Sequence, residues 1–522
     1  MIGILNMPSM STFTRHVLRS AFLITLMTAG LLGLYQPVRA LPNDKSGVGS
    51  NLHEIAYWSP EWPFVDVFKT ARPWVPQKTG AGWGQGDPLS LDENGWITAL
   101  KADQWAETMV FQGHNHYPAG QYVFLYDGSG EFEFYGAKVA DQAQGRITLD
   151  VTPTEGIGIK LVKTDPKDYV HNIRLIMPGF ESTYETQPFH PLFLQRLERY
   201  RVLRFMDWMH TNNSPVVHWA DRTRADYYTQ GDERGVAPEW IIKLGNTLHA
   251  DIWINIPHRA ADDYVEGLAT LIRDQLAPDL KVYIEYSNET WNGAFEQAQY
   301  VMEQGEALKL SSDRFQAGLF FHSRRAVQSF AIFEKIFGGT TRLVRVLAAQ
   351  AANSWTGEQV MDFESASQHA DALAIAPYFC NELGDPATQD KIASTSVKAI
   401  LDECKQQITT TVAEWIKFNK AATDQRKLQL VAYEGGQHLA GYGGAQDNDK
   451  LTEKFLAVNR DMGIKDLYLL YLKQWKQSGA GVFVNFTSVA SYSKYGSWGV
   501  LEYQDQDVAT APKYQAIMAF LE

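Results

Sequence analysis

Cysteine is almost missing from this 522-residue chain: Cys380 and Cys404 are the only two. At most one disulfide can form, and the pair is an even count suited to an oxidising compartment, bridged or not. Positive charge is also short, with 47 Lys and Arg against 60 Asp and Glu and a net charge of −13. Nucleic acid and anionic membrane surfaces need a basic field to neutralise phosphates, so neither is an expected partner. No His/Cys/Asp/Glu cluster has zinc spacing, no Gly-x-Ser-x-Gly elbow proposes a serine hydrolase, and no Gly-rich phosphate loop follows a first strand. No metal and no cofactor is expected on those grounds. A long uncharged run dominated by apolar residues stands at 21–35, and nothing downstream resembles a second span.

That run has the form of an export signal. Arg15 and Arg19 precede it, and Val38-Arg39-Ala40 supplies small residues where a signal peptidase cuts. A signal peptide over 1–40 and a secreted or periplasmic protein are expected, with no membrane contact after cleavage; an uncleaved anchor is the alternative. The run is short for a membrane span, which takes about 20 apolar residues.

What the chain has in quantity is apolar and aromatic residues, 45% and 12%. That is enough for a large core and for flat rings that stack on sugar faces. From 52 to about 163, short alternating segments at 96–100, 121–126, 131–135, 146–151 and 157–162 are broken by Gly and Asp, the pattern of a β-sandwich. From 173 onward, eight apolar runs alternate with helical stretches: 173–177, 202–207, 251–256, 282–286, 342–348, 372–376, 428–433 and 481–486. The clearest helical stretches are 191–200, 239–248, 263–276, 294–308, 396–419, 449–461 and 511–521. The expected fold is α/β: a (β/α)8 TIM barrel over 171–522, preceded by a β-sandwich-like N-terminal domain over 41–170. A doubly wound open sheet competes but lacks its phosphate loop.

A parallel barrel builds its active site at the C-terminal ends of its strands. The fourth run continues as Glu285-Tyr286-Ser287-Asn288-Glu289, and alternation would set Tyr283, Glu285, Ser287 and Glu289 on one face. The seventh ends as Tyr433-Glu434-Gly435-Gly436, a carboxylate at a strand mouth with glycines that let the chain turn. Two facing carboxyls suit glycosidic bond hydrolysis, in which one acid protonates the leaving oxygen and the other attacks or activates water. A salt-bridge role for either Glu is the plain alternative.

Glu-x-x-Asn-Glu at the fourth strand end, here Glu285 to Glu289, resembles the acid/base signature of clan GH-A, retaining glycoside hydrolases on (β/α)8 barrels. The resemblance implies Glu289 as general acid/base, Glu434 as nucleophile on strand seven, and Asn288 as the partner of the sugar 2-hydroxyl. Arg204 resembles the strand-two arginine beside the nucleophile, and Tyr378 the strand-six tyrosine that hydrogen-bonds it. His258 and Trp498 are further candidates for substrate contact. Structural readings remain beside these: an ion pair for Arg204, core for Tyr378, ordinary loop residues for His258 and Trp498. Thr290 and Gly435-Gly436 depart from the clan's usual neighbours, so no subfamily is assigned. The implied function is double-displacement cleavage of a β-linked polysaccharide or oligosaccharide. The alternatives are a non-catalytic carbohydrate-binding or scaffold protein and a transglycosylase remodelling a surface glycan.

Overall fold

The computed structural model describes residues 47–522; the expected signal peptide over 1–40 lies outside the described residues. Eight parallel strands close into a barrel: Val48–Asn51, Val202–Arg204, Asp251–Ile256, Val282–Tyr286, Leu343–Ala348, Ala372–Ile375, Gln429–Ala432 and Phe483–Asn485. We call these barrel strands one to eight. The last pairs with the first, Val48 opposite Phe483, which closes the ring. Helices follow on the outside because the strands alternate two apolar faces. Val202, Trp253, Tyr283, Val346, Ala374, Val431 and Val484 fill the interior. Ile252, Ile254, Ile284, Leu347, Leu373 and Leu430 face the helices as part of a second core.

One expected strand is misplaced. The run 173–177 is not the first barrel strand: it falls in the sandwich strand His171–Ile176, antiparallel to Gly120–Asp127. The barrel instead recruits Val48-Gly49-Ser50-Asn51, from before the expected boundary at 171. Four residues with a single large apolar side chain give no hydrophobic run to detect. Small residues are required there: a Cβ on Gly49 would sit 2.6 Å from the Val202 carbonyl oxygen. In chain order the β-rich segment therefore lies between barrel strands one and two.

That segment is a sandwich of two four-stranded antiparallel sheets. Val75–Lys78, Gln104–Val110, Ile157–Thr164 and Gly130–Tyr135 form one; His171–Ile176, Gly120–Asp127, Arg146–Val151 and Lys138–Ala143 form the other. Ala106, Ile159 and Leu161 of the first meet Tyr122, Phe124 and Leu149 of the second in a common core. Strict alternation in Gln104–Val110, buried at every second position, is what a half-buried strand requires.

Two helices brace the C-terminal end of the barrel. Gly463–Gln477 sends Tyr471 to donate to the Pro377 carbonyl (2.7 Å) after strand six, while its Tyr468 hydroxyl accepts from the Gln437 N–H (3.2 Å) after strand seven. Arg314–Phe337, capped by Asp313, was not among the clearest helical stretches because its buried face includes His322, Ser323 and Ser329. Cys380 and Cys404 are bridged, tying the loop after strand six to helix Val397–Gln407. No described helix is long and apolar enough to cross a membrane.

Candidate active site

At the C-terminal mouth of the barrel a cleft of about 550 Å³ is lined by Glu289, Glu434, Asn288, Tyr378, Trp498 and Asp207, among others. Its floor is built around Arg204, the last residue of strand two, which has no exposed surface. The guanidinium donates to both Glu285 oxygens (3.0 and 3.1 Å), to Glu434 (3.1 Å), to Asn288 Oδ1 (2.9 Å) and to Asn51 Oδ1 (3.2 Å). Five N–H donors in a fixed fork make arginine the residue able to hold four partners at once. Arg204 is thus both of its expected alternatives, a buried ion pair and the cation beside Glu434. Burial alone would lower its pKa, but Glu285 and Glu434 outweigh that and hold it above its usual value.

Glu285 is fully buried and also accepts from the Trp253 indole (2.8 Å). It faces Arg204 from below the cleft, so it acts as a counter-ion. Alternation does not carry past it. Strand four stops at Tyr286, and Ser287 (φ 60°) and Glu289 (φ 42°) both enter the left-handed region. Such backbone costs a non-glycine residue about 1–3 kcal/mol and persists only where the surroundings hold it. Here Asn292 holds it, donating from its side chain to Glu289 Oε2 (2.8 Å) while its N–H bonds the Glu289 carbonyl (2.8 Å). Thr290 shares a hydrogen bond with the buried His322 ring (2.8 Å), anchoring the loop to helix Arg314–Phe337.

Each carboxyl has a phenol donor. Tyr378 donates to Glu434 Oε1 (3.1 Å) and Tyr433 to Glu289 Oε1 (3.1 Å). Burial first, then the carboxylate charges, raise both tyrosines well above the ordinary range, so they stay protonated. Burial pushes both Glu289 and Glu434 up, repulsion within the pair adds to it, and Arg204 opposes it at both. One guanidinium is divided between Glu285 and Glu434, so it offsets the burial of Glu434 only in part. Asp207, rising to about 7 through burial and the charge of Glu54, adds to the negative field.

Gly435 and Gly436 serve packing as well as the turn. A Cβ on Gly435 would lie 2.7 Å from the Phe483 ring, and one on Gly436 (φ 142°) 2.8 Å from the Tyr468 hydroxyl. Trp498, half-buried, packs edge-on against Tyr378 (6.0 Å between centroids) and His438 (4.8 Å).

His258 is not brought into this cleft. Its ring is buried against Tyr300 (5.2 Å), and burial lowers its pKa to about 4. Strand three ends at Ile256, and the chain then turns behind strand four, where Tyr286 donates to the His258 carbonyl (2.7 Å). Several residues of the site are not foreseen in the sequence: Asp207, Asn292 and His438 in the cleft, and Asn51 and Tyr433 buried beneath it. Asp207 and Tyr433 lie within runs read as strands and were visible as polar groups at their ends. Asn51 was hidden with strand one.

No family model matches the chain, and no curated protein does. Among solved structures, an arabinofuranosidase of family GH51 from Xanthomonas axonopodis pv. citri aligns over 60% of this chain and 63% of its own, at 14% identity and a TM-score of 0.38. A GH5-4 broad-specificity endoglucanase from Clostridium longisporum covers 66% of this chain and 89% of its own, at 10% identity and 0.39. An endo-β-1,4-mannanase from Cellulomonas fimi covers 61% and 62%, at 9% and 0.33. The chain spans less than two thirds of the arabinofuranosidase and of the mannanase.

Proposed function

We propose that this protein is a retaining glycoside hydrolase that cleaves a β-linked polysaccharide or oligosaccharide, with Glu434 as nucleophile and Glu289 as acid/base. The observation that carries the reading is the unequal surroundings of two carboxyls in one cleft. Both are raised by burial, so the pair holds a proton over neutral pH and ionises in two steps that belong to the pair. Glu434 has a guanidinium and a phenol, both favouring the charged form; Glu289 has an amide and a phenol. The charge therefore settles on Glu434 and the proton on Glu289.

In the first step Glu434 attacks the anomeric carbon and the Glu289 proton goes to the departing oxygen, leaving a glycosyl ester and an ionised Glu289. Loss of charge on Glu434 frees Arg204 and Tyr378 from one of their partners. In the second step Glu289 takes a proton from water as that water attacks the anomeric carbon and breaks its bond to Glu434, which restores both carboxyls. Asn288, oriented by Arg204 and by its own donation to Asn212 (3.1 Å), would meet the sugar 2-hydroxyl in this reading. Trp498 offers a ring face to a neighbouring sugar. The disulfide and the signal-like first forty residues together favour an exported enzyme.

The test is a hydrolysis screen over β-glucans, mannans, xylans and bacterial exopolysaccharides, with products identified by mass spectrometry. The parent should release oligosaccharides from at least one polymer and the Glu434→Gln variant from none. Equal release by the two would remove Glu434 from the mechanism.

A further inference from the structure

Two tryptophans outside the cleft expose more of their rings than packing demands. Trp58, in the segment leaving barrel strand one, is 41% exposed, and Trp83, on the loop after sandwich strand Val75–Lys78, is 62% exposed. The Trp83 ring is held by a cation. The Arg72 guanidinium lies over Trp83 at 5.3 Å and over Tyr57, the neighbour of Trp58, at 5.5 Å. Two of its nitrogens, Nε and Nη2, are buried without a hydrogen-bond acceptor. Covering a guanidinium this way costs desolvation, and what it returns is the orientation of the rings, since a cation over an aromatic face contributes about 0.5–2 kcal/mol. The Trp83 loop is itself pinned: the Gly84 N–H donates to Gln77 Oε1 (3.1 Å) and the Gly86 N–H to the Pro76 carbonyl (3.2 Å).

This surface connects with the cleft. Trp58 packs edge-on against His53 at 5.5 Å. The next residue, Glu54, lies close enough for its charge to act on Asp207, which lines the cleft. The segment after strand one thus carries Glu54, beside the cleft, and the Tyr57-Trp58 pair, and Arg72 links Tyr57 to Trp83.

We propose that Trp58, packed on His53, and Trp83, set by Arg72, form a glycan-binding platform that takes an uncharged β-linked polysaccharide beyond the sugars held in the cleft. Flat exposed rings match the C–H faces that equatorially linked pyranoses present, and fixed rings bind without losing side-chain freedom. Charge selects among such chains: Glu54, Asp207 and the net charge of −13 repel a polyuronate, while Arg72 is covered by rings and Lys78 and Lys101, beside the Trp83 loop, are paired with Asp87. The choice of a glycan as occupant rests on the proposed function.

The test is affinity electrophoresis in native gels containing barley β-glucan, glucomannan or arabinoxylan, with polygalacturonate as the charged counterpart. The parent should be retarded by at least one neutral polymer and not by polygalacturonate. The Trp58→Ala/Trp83→Ala variant, with an unchanged melting temperature, should bind about tenfold more weakly or worse. Equal retardation of parent and variant, retardation of the parent by none of the three neutral polymers, or stronger retardation by polygalacturonate would each overturn the proposal. If the parent binds through the platform yet hydrolyses none of the polymers, the platform stands and the glycosidase reading is what fails.

Discussion

Arg204 divides one positive charge between two buried carboxylates, and the working state of Glu434 depends on that division. Lysine at this position keeps the charge but loses the fork that reaches Glu285, Glu434 and Asn288 together. In Arg204→Lys the Glu434 carboxyl should rise further, so the acid limb of the kcat/KM profile, where the nucleophile ionises, moves to higher pH; an unmoved limb would separate Arg204 from Glu434. Glu289 makes a different prediction. Removing it in Glu289→Ala should slow hydrolysis by about 10²–10⁴-fold when the leaving group needs a proton, and far less for an activated aryl glycoside; equal losses on both substrates would contradict an acid role. Glu289 and Glu434 could be picked out in the sequence because polar residues stand where apolar runs end. His258 met the same criterion and lies elsewhere, because period and position do not reveal which way a loop turns after its strand. The division of Arg204 was equally hidden, since Glu285 and Glu434 are far apart in the chain.

Among the connecting elements, the segment after strand one meets the segment after strand eight through a buried carboxyl. Glu61 accepts from the Ser488 hydroxyl (2.6 Å) and the His53 N–H (3.2 Å), and burial, only partly offset by these bonds, pushes it up to about 8. The folded state therefore holds a proton that the unfolded chain, with an ordinary Glu near 4.5, releases earlier. Its stabilising contribution is complete below that ordinary value and is lost as pH rises from there toward 8. Glu61→Gln should flatten the fall of melting temperature between pH 5 and pH 8, whereas an unchanged slope would assign the fall to other groups. The bridge between Cys380 and Cys404 holds the loop that follows Tyr378, with a sequence separation of 24 residues. Loop-closure entropy for that length gives about 3 kcal/mol, the loss expected in Cys380→Ser/Cys404→Ser by denaturant titration. Most helices and seven of the eight barrel strands are legible as apolar periodicity. Strand one is not, because a four-residue strand of small side chains is dictated by the close approach of its neighbours.

For the molecule as a whole, that hidden strand changes what the sandwich is. It is an insertion between barrel strands one and two, so a cut at 171 removes a stave of the barrel and the Asn51 side chain that accepts from Arg204. A fragment beginning at 171 should show no cooperative melt and no near-ultraviolet circular dichroism; a cooperative fold would mean that the barrel closes without Val48–Asn51. The mechanism meets its most direct test in the stereochemistry of one turnover. Proton NMR of the first-formed product from a β-linked substrate reads the anomeric configuration before mutarotation. Double displacement through Glu434 predicts the β-anomer first, and an α-anomer appearing first would contradict it.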